Sequence, residues 1–125
     1  MINGGTNNAI KGDHVDEMYD QMEGILEDIW GYDDMENTCV ILSTLIPTED
    51  RQGSINRVSI NSAYRRLVDD YNGDKCIYLA DMEPTGDGKD FISLDGDYWA
   101  DSPKVHPNVG GVKKIRVGRR KVLTL

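Results

Sequence analysis

With 125 residues, 38% of them hydrophobic, and a mean hydropathy of −0.52, the chain has room for one modest globular core and no more than one domain. Its formal charge of −8 argues against a generic nucleic-acid binder, which needs an excess of Lys and Arg, and no stretch approaches the roughly 18 to 20 consecutive apolar residues of a membrane span. Cys39 and Cys76 are far apart and outside any CxxC spacing, so neither a zinc ribbon nor a redox pair is available.

The opening Met1-Ile2-Asn3-Gly4-Gly5 lacks the charged and apolar regions of a secretory signal. Gly4-Gly5-Thr6-Asn7-Asn8 reads as a turn between the end of a strand and the first helix. That helix starts at Asp13, an Asx cap followed three positions later by Asp16, which places carboxylates at the positive end of the dipole. Val15, Met18, Met22, Ile25, Leu26 and Ile29 recur at spacings of three and four and mark one apolar face, closed by Trp30-Gly31.

The run from Thr38 to Ile46 is too apolar to alternate and too short for a globular helix, and Pro47 ends it. It reads as a strand buried on both faces. A second helix follows from about Ser54, with Ile60, Ala63, Tyr64, Leu67, Val68 and Tyr71 on one face and Asn72-Gly73 as its stop. Cys76 to Ala80 reads as another buried strand. The two cysteines are then small buried residues at the starts of strands, with a disulfide as the alternative in an oxidising compartment. Helix, strand, helix, strand is the grammar of an α/β fold with a parallel sheet.

Asp81 to Pro107 is irregular. Asn108 caps a last helix containing Val112, Ile115 and Val117, which Gly118 interrupts; residues 118–125 form a tail in a basic stretch that includes Lys113, Lys114, Arg116, Arg119, Arg120 and Lys121. The domain thus spans residues 1–117.

Asp81-Met82-Glu83-Pro84-Thr85-Gly86-Asp87 begins like a calcium loop, but the eighth position is Gly88 and the twelfth Ile92, where an EF-hand needs an apolar residue and a bidentate Glu. It reads as a solvated surface loop. His14 reads as an exposed polar residue beside a helix cap. His106, in Val105-His106-Pro107-Asn108, follows Asp95, Asp97 and Asp101, any of which could orient an imidazole. Asn7 lies where glycines let the chain turn tightly and a side-chain amide could donate to a developing oxyanion.

Gly5-Thr6-Asn7-Asn8 resembles the Gly-x-Asn-Asp block of SGNH hydrolases, and Val105-His106-Pro107-Asn108-x-Gly110 resembles the block that holds their catalytic histidine. Between them, the order of helix, strand ending in Ser43-Thr44-Leu45-Ile46-Pro47-Thr48, helix, and Leu79-Ala80-Asp81-Met82 is similar to that family, nearest its carbohydrate acetyl esterase branch. The resemblance covers residues 2 to 117. It implies the C-terminal part of a flavodoxin-like doubly wound parallel sheet and Ser-His-Asp ester hydrolysis, with O-acetyl polysaccharides among the expected substrates and no metal or cofactor. His106 would be the general base and Asn7 an oxyanion donor. The family places Asp three residues before the histidine, where this chain has Pro103; a two-residue insertion makes Asp101 the substitute, ahead of Asp97. Asn8 replaces the usual Asp of the oxyanion block.

The family's Gly-Asp-Ser nucleophile block precedes the Asn block, and only six residues precede Asn7 here. Gly-Asp pairs in this chain are followed by His14, Lys75, Gly88 and Tyr98, and Ser43, Ser54, Ser59, Ser62, Ser93 and Ser102 all lack the required context. The expectation is that the serine and the first strands belong to an N-terminal segment outside this sequence. The chain alone would then be inactive and marginally folded, because sheets need three or more strands for independent stability. Secretion fits the carbohydrate-active members, with any signal peptide at that same end. The alternatives are a non-catalytic carbohydrate- or partner-binding protein of the same fold, and assembly through the acidic body and basic tail.

Overall fold

The computed structural model describes residues 1–83, 92, 94 and 97–123, with residues 117–123 as backbone alone. Its elements are α1 (Thr6–Lys11), α2 (Val15–Gly31), β1 (Val40–Ser43), α3 (Arg51–Tyr71), β2 (Ile77–Ala80) and α4 (Val109–Leu123). The fold is mixed α/β. β1 and β2 pair in parallel, from Val40 opposite Ile77 to Ser43 opposite Ala80, and α3 is the long crossover that a parallel pair requires.

Backbone groups of β1 alternate between two neighbours. Val40 and Thr44 donate to Cys76 and Ala80 on the β2 side, while the Ile41 carbonyl accepts from the Ile2 N–H at 2.7 Å and the Ser43 N–H donates to the Ile2 carbonyl at 2.9 Å. Ile2 therefore forms a parallel bridge with Leu42 on the other edge of β1, as expected for the end of a strand. β1 is buried along most of its length. β2 is not the doubly buried strand expected: among the described residues it is an edge, and Tyr78 is 56% exposed.

The same register brings the cysteines together. Cys39 and Cys76 immediately precede the first paired residues, so their Cα atoms lie 4.5 Å apart and they form a disulfide. This corrects the reading of two small buried thiols, and Cys39 is in fact exposed.

Three helix boundaries also differ from expectation. The Gly-rich opening continues into α1, a short helix closed by Gly12 in the left-handed conformation. α2 is capped by His14, whose Nδ1 accepts from the Asp16 N–H at 3.2 Å, while the carboxylate of Asp13 takes the side-chain amide of Asn8 at 2.8 Å. Its buried stripe is Met18, Met22, Leu26 and Trp30, and Ile25 faces solvent. α3 begins at Arg51, earlier than Ser54, because Asp50 accepts from the Gly53 N–H at 2.7 Å. α4 runs through Gly118 to Leu123; a glycine inside a helix costs about 1 kcal/mol relative to alanine but does not by itself end it. The side chains of Val117, Arg119, Arg120 and Lys121 lie outside the described part.

The main core joins α2, α3 and β1 through residues such as Leu26, Leu42, Tyr64 and Leu67, each aliphatic member contributing about 2 kcal/mol by leaving water. A second cluster, Ile46, Met82, Ile92 and Ile115 with Tyr98 and Trp99 against it, packs under α4. Polar side chains join the ends of the strands to α3. Buried Asn61 accepts from the Leu45 N–H at 2.7 Å and donates to Glu83 at 2.7 Å. Arg65 meets Asp81 through Nε at 2.7 Å and Glu83 through its terminal nitrogen at 2.6 Å. The start of the acidic loop is thus tied to the body and is no solvated loop. Pro84, Thr85, Gly86, Asp87 and Gly88 lie outside the described residues, among which no group of His, Cys, Asp and Glu side chains is arranged to hold a metal ion.

Candidate active site

The segment before α4 folds back on itself. The Asn108 N–H donates to the Tyr98 carbonyl at 2.7 Å, the Ala100 N–H to the His106 carbonyl at 2.8 Å, and Trp99 bridges Pro107 in antiparallel fashion. The side-chain oxygen of Asn108 then accepts from the Gly111 N–H at 2.9 Å, which caps α4 as the sequence suggests. Gly111 is needed there, because a Cβ would collide with the Tyr98 carbonyl and Pro107. At the turn, Lys104 anchors the segment to the start of α3: its carbonyl accepts from the Thr48 hydroxyl at 2.8 Å and the Glu49 N–H at 2.9 Å, and its ammonium donates to the Leu94 carbonyl at 2.6 Å.

Inside this turn Asp101 does two jobs. One carboxylate oxygen accepts from the backbone N–H groups of Val105 at 2.8 Å and His106 at 3.0 Å, and the other meets Nδ1 of His106 at 2.5 Å. The same donors, the Val105 and His106 amides first and the imidazole after them, lower the carboxyl from 3.8 to about 2. A carboxyl depressed in the folded state favours the turn above its ordinary value and releases it as pH falls towards 2. An NMR titration of the Asp101 carboxyl is therefore expected to show a midpoint near 2; a midpoint at 3.8 would mean that the turn does not form in solution.

The facing wall is the chain's opening. Gly5 has φ of 120°, a conformation that side chains disfavour, and a Cβ there would lie 2.7 Å from the Tyr64 hydroxyl. That hydroxyl donates to the Gly4 carbonyl at 2.8 Å, and Asn56 of α3 donates to the Ala9 carbonyl at 2.8 Å, so α3 holds α1 in place. Asn7 projects from α1 with its side chain exposed and without a hydrogen bond to any described residue.

Between the walls lies a cleft of about 820 Å³. Met1 and the opening from Asn3 to Asn8 line it from one side, Val105, His106 and Pro107 from the other, with Val112, Ile115 and Arg116 of α4 and Ile46 also in the wall. Its volume falls within the range of small-molecule sites. Asn7 and His106, from opposite ends of the sequence, thus face one cavity. Asp101 stands behind His106 and engages Nδ1, which leaves Nε2 as the ring nitrogen for proton exchange; the histidine side chain is 74% exposed. Asp97 is not its partner, and instead accepts the Asn108 amide through its backbone carbonyl at 3.3 Å. Asn8 is turned to Asp13, and His14 serves as a helix cap away from the cleft. Asp95 and Ser93 lie outside the described residues.

No serine lines the cleft among the described residues, and Thr6 supplies its one hydroxyl. Ser43 is buried at the end of β1 with its hydroxyl donating to the Thr44 carbonyl at 3.0 Å, and both cysteines are bonded to each other. Sequence reasoning missed Arg116 as a wall of the site and Lys104 as its tether. Nothing local signals either, since both act through segments distant in sequence.

No family model matches the chain, and neither a curated protein nor a solved structure is significantly similar to it.

Proposed function

We propose that this chain carries the acid–base and oxyanion end of an SGNH-type serine esterase, with β1, β2 and the Ile2 edge forming part of a flavodoxin-like doubly wound sheet. One observation carries the reading: a single cleft holds an Asn7 amide that no described residue engages and a histidine at 106 whose Nδ1 is taken by a carboxylate. That is the division of labour of a serine-hydrolase site, in which the acid orients the imidazole and the other ring nitrogen moves the proton.

In this reaction a serine hydroxyl from outside residues 1–125 loses its proton to Nε2 of His106 as Oγ attacks the ester carbonyl. The carbonyl π electrons move to oxygen, and the Asn7 amide donates to the resulting oxyanion. Collapse of the tetrahedral intermediate expels the alcohol, which takes the proton from Nε2. Water, deprotonated by the same nitrogen, then attacks the acyl-serine and releases the acid and the free serine. Asp101 remains a carboxylate throughout and stabilises the imidazolium. The Cys39–Cys76 disulfide supports export to an oxidising compartment.

The test is acetate release from p-nitrophenyl acetate and from acetylated polysaccharide by the protein expressed with all coding sequence upstream of Met1. His106→Ala is expected to lower kcat by about 10³-fold or more, and Asp101→Asn by about 10²- to 10⁴-fold, as tautomer control is lost. Absence of ester cleavage in the full-length protein, with acetylated glycan still bound, would overturn the esterase and leave a non-catalytic binding protein.

A further inference from the structure

The charge of the cleft is opposite to that of the chain. Among 22 Asp and Glu residues against 14 Lys and Arg, none of the acidic side chains lines the cleft among the described residues, whereas one cationic side chain, Arg116, does, together with Met1 at the amino end. Arg116 is exposed and joins no ion pair with a described residue. Lys114, two positions earlier on α4, is engaged elsewhere, over the Tyr98 ring at 5.9 Å. Ile46, Val105, Pro107, Val112 and Ile115 give the cleft an aliphatic wall, and Asn3, Thr6 and Asn8 add uncharged polar groups on the side of the chain's opening. Val112 is 55% exposed although it belongs to the apolar face of its helix.

A largely apolar cavity with a few convergent polar groups selects a ligand by those groups, and two kinds among them bear on an ester substrate. His106 and Asn7 would act on an ester carbonyl. Arg116 presents a planar fork of N–H donors that matches a carboxylate, in a recess whose aliphatic walls strengthen the attraction and whose lining offers no competing anion. The described lining contains no Phe, Tyr or Trp ring on which the face of a sugar could stack. We infer that the cleft takes a monoanionic aliphatic ester, in which an alkyl chain lies along the Ile46, Val112 and Ile115 wall and joins the ester group to a carboxylate held by Arg116. The inference rests on the esterase reading and names its substrate class.

The test compares monomethyl suberate, which carries one ester and one carboxylate on an alkyl chain, with its neutral counterpart dimethyl suberate. Binding to the chain is followed by NMR titration of backbone amides and requires no nucleophile. Monomethyl suberate is expected to bind about tenfold more tightly, the order expected of one charge-assisted bidentate contact, and the preference should fall in high salt. Arg116→Gln, which retains helix propensity and alters an exposed side chain, is expected to abolish the preference, with an amide spectrum that otherwise confirms the fold. Equal affinity for the two esters, or a preference that survives Arg116→Gln, overturns the inference. Methanol release by the full-length protein separates the two readings. Cleavage of both esters with equal kcat/KM overturns the carboxylate preference alone, whereas Arg116-dependent binding without any cleavage overturns the esterase alone.

Discussion

Replacement of Cys39 and Cys76 together by serine is expected to destabilise the chain by about 3 to 4 kcal/mol, or about 15 °C in Tm. The disulfide closes a loop of sequence separation 37 that contains β1, α3 and the approach to β2. Without it the unfolded chain regains the entropy of that loop, while the folded state loses little, because Cys39 is already exposed. The effect is large relative to the fold it acts on. Two four-residue strands and a one-residue bridge at Ile2 make a sheet at the lower limit of independent stability, and small cores commonly rely on such cross-links. Urea denaturation of the wild type with and without dithiothreitol checks this directly. The reduced wild type should coincide with the double variant, and both should show a steeper denaturant dependence as their unfolded state expands. An oxidised wild type with the same midpoint as the variant would mean that the cross-link contributes no stability.

Arg65→Ala is expected to cost about 3 kcal/mol near neutral pH, because it leaves two carboxylates facing each other with their shared cation gone. Asp81 and Glu83 retain only 20% and 14% of their side-chain exposure beside Arg65, so water replaces the guanidinium poorly. The pH dependence identifies the cause. Burial pushes the Asp81 carboxyl upward, but the Arg65 hydrogen bonds, the Glu83 N–H and the guanidinium charge outweigh it and hold the group below 3.8. A carboxyl depressed in the folded state stabilises it above the unfolded value and ceases to do so as pH falls through the folded one. The penalty of Arg65→Ala should therefore shrink as pH falls below about 3.8, where the Asp81 carboxyl accepts a proton and no longer needs the cation. A penalty unchanged from neutral pH into strong acid would point to lost packing of the Arg65 stem. Arg65→Lys should rescue only part, since one ammonium cannot reproduce the fork that spans Asp81 and Glu83. The consequence reaches the cleft, because Met82 between these carboxylates packs with Ile46 and Ile115 beneath it.

Much of the fold is legible in short windows of the chain. The spacing of Ile60, Ala63, Tyr64, Leu67 and Val68 marks the buried face of α3, and Asn108 marks the start of α4, because helix periodicity and capping depend on residues within a turn or two of each other. The apolar run around Val40 marks the buried strand β1 for the same local reason. Where local signals misled, a distant partner or a special backbone angle was responsible. Asp13 resembles a cap, yet the Asn8 amide claims its carboxylate and His14 takes the role. Tyr78 resembles a core residue, yet among the described residues β2 is an edge.

The candidate site divides along the same line. From His106, Asn7 and the order of elements between them, the resemblance in sequence implied a pairing of imidazole and amide donor and Asp101 ahead of Asp97 as the acid. Only the tertiary structure decided that His106 and Asn7 face one cleft, that Asp101 engages Nδ1 while Asp97 turns its carbonyl to Asn108, that Arg116 lines the same cleft, and that Cys39 bonds to Cys76. The physical reason is range. Propensity and periodicity act between neighbours in the chain, whereas the pairing of side chains depends on strand register, loop closure and helix docking, which bring together residues that no local pattern connects.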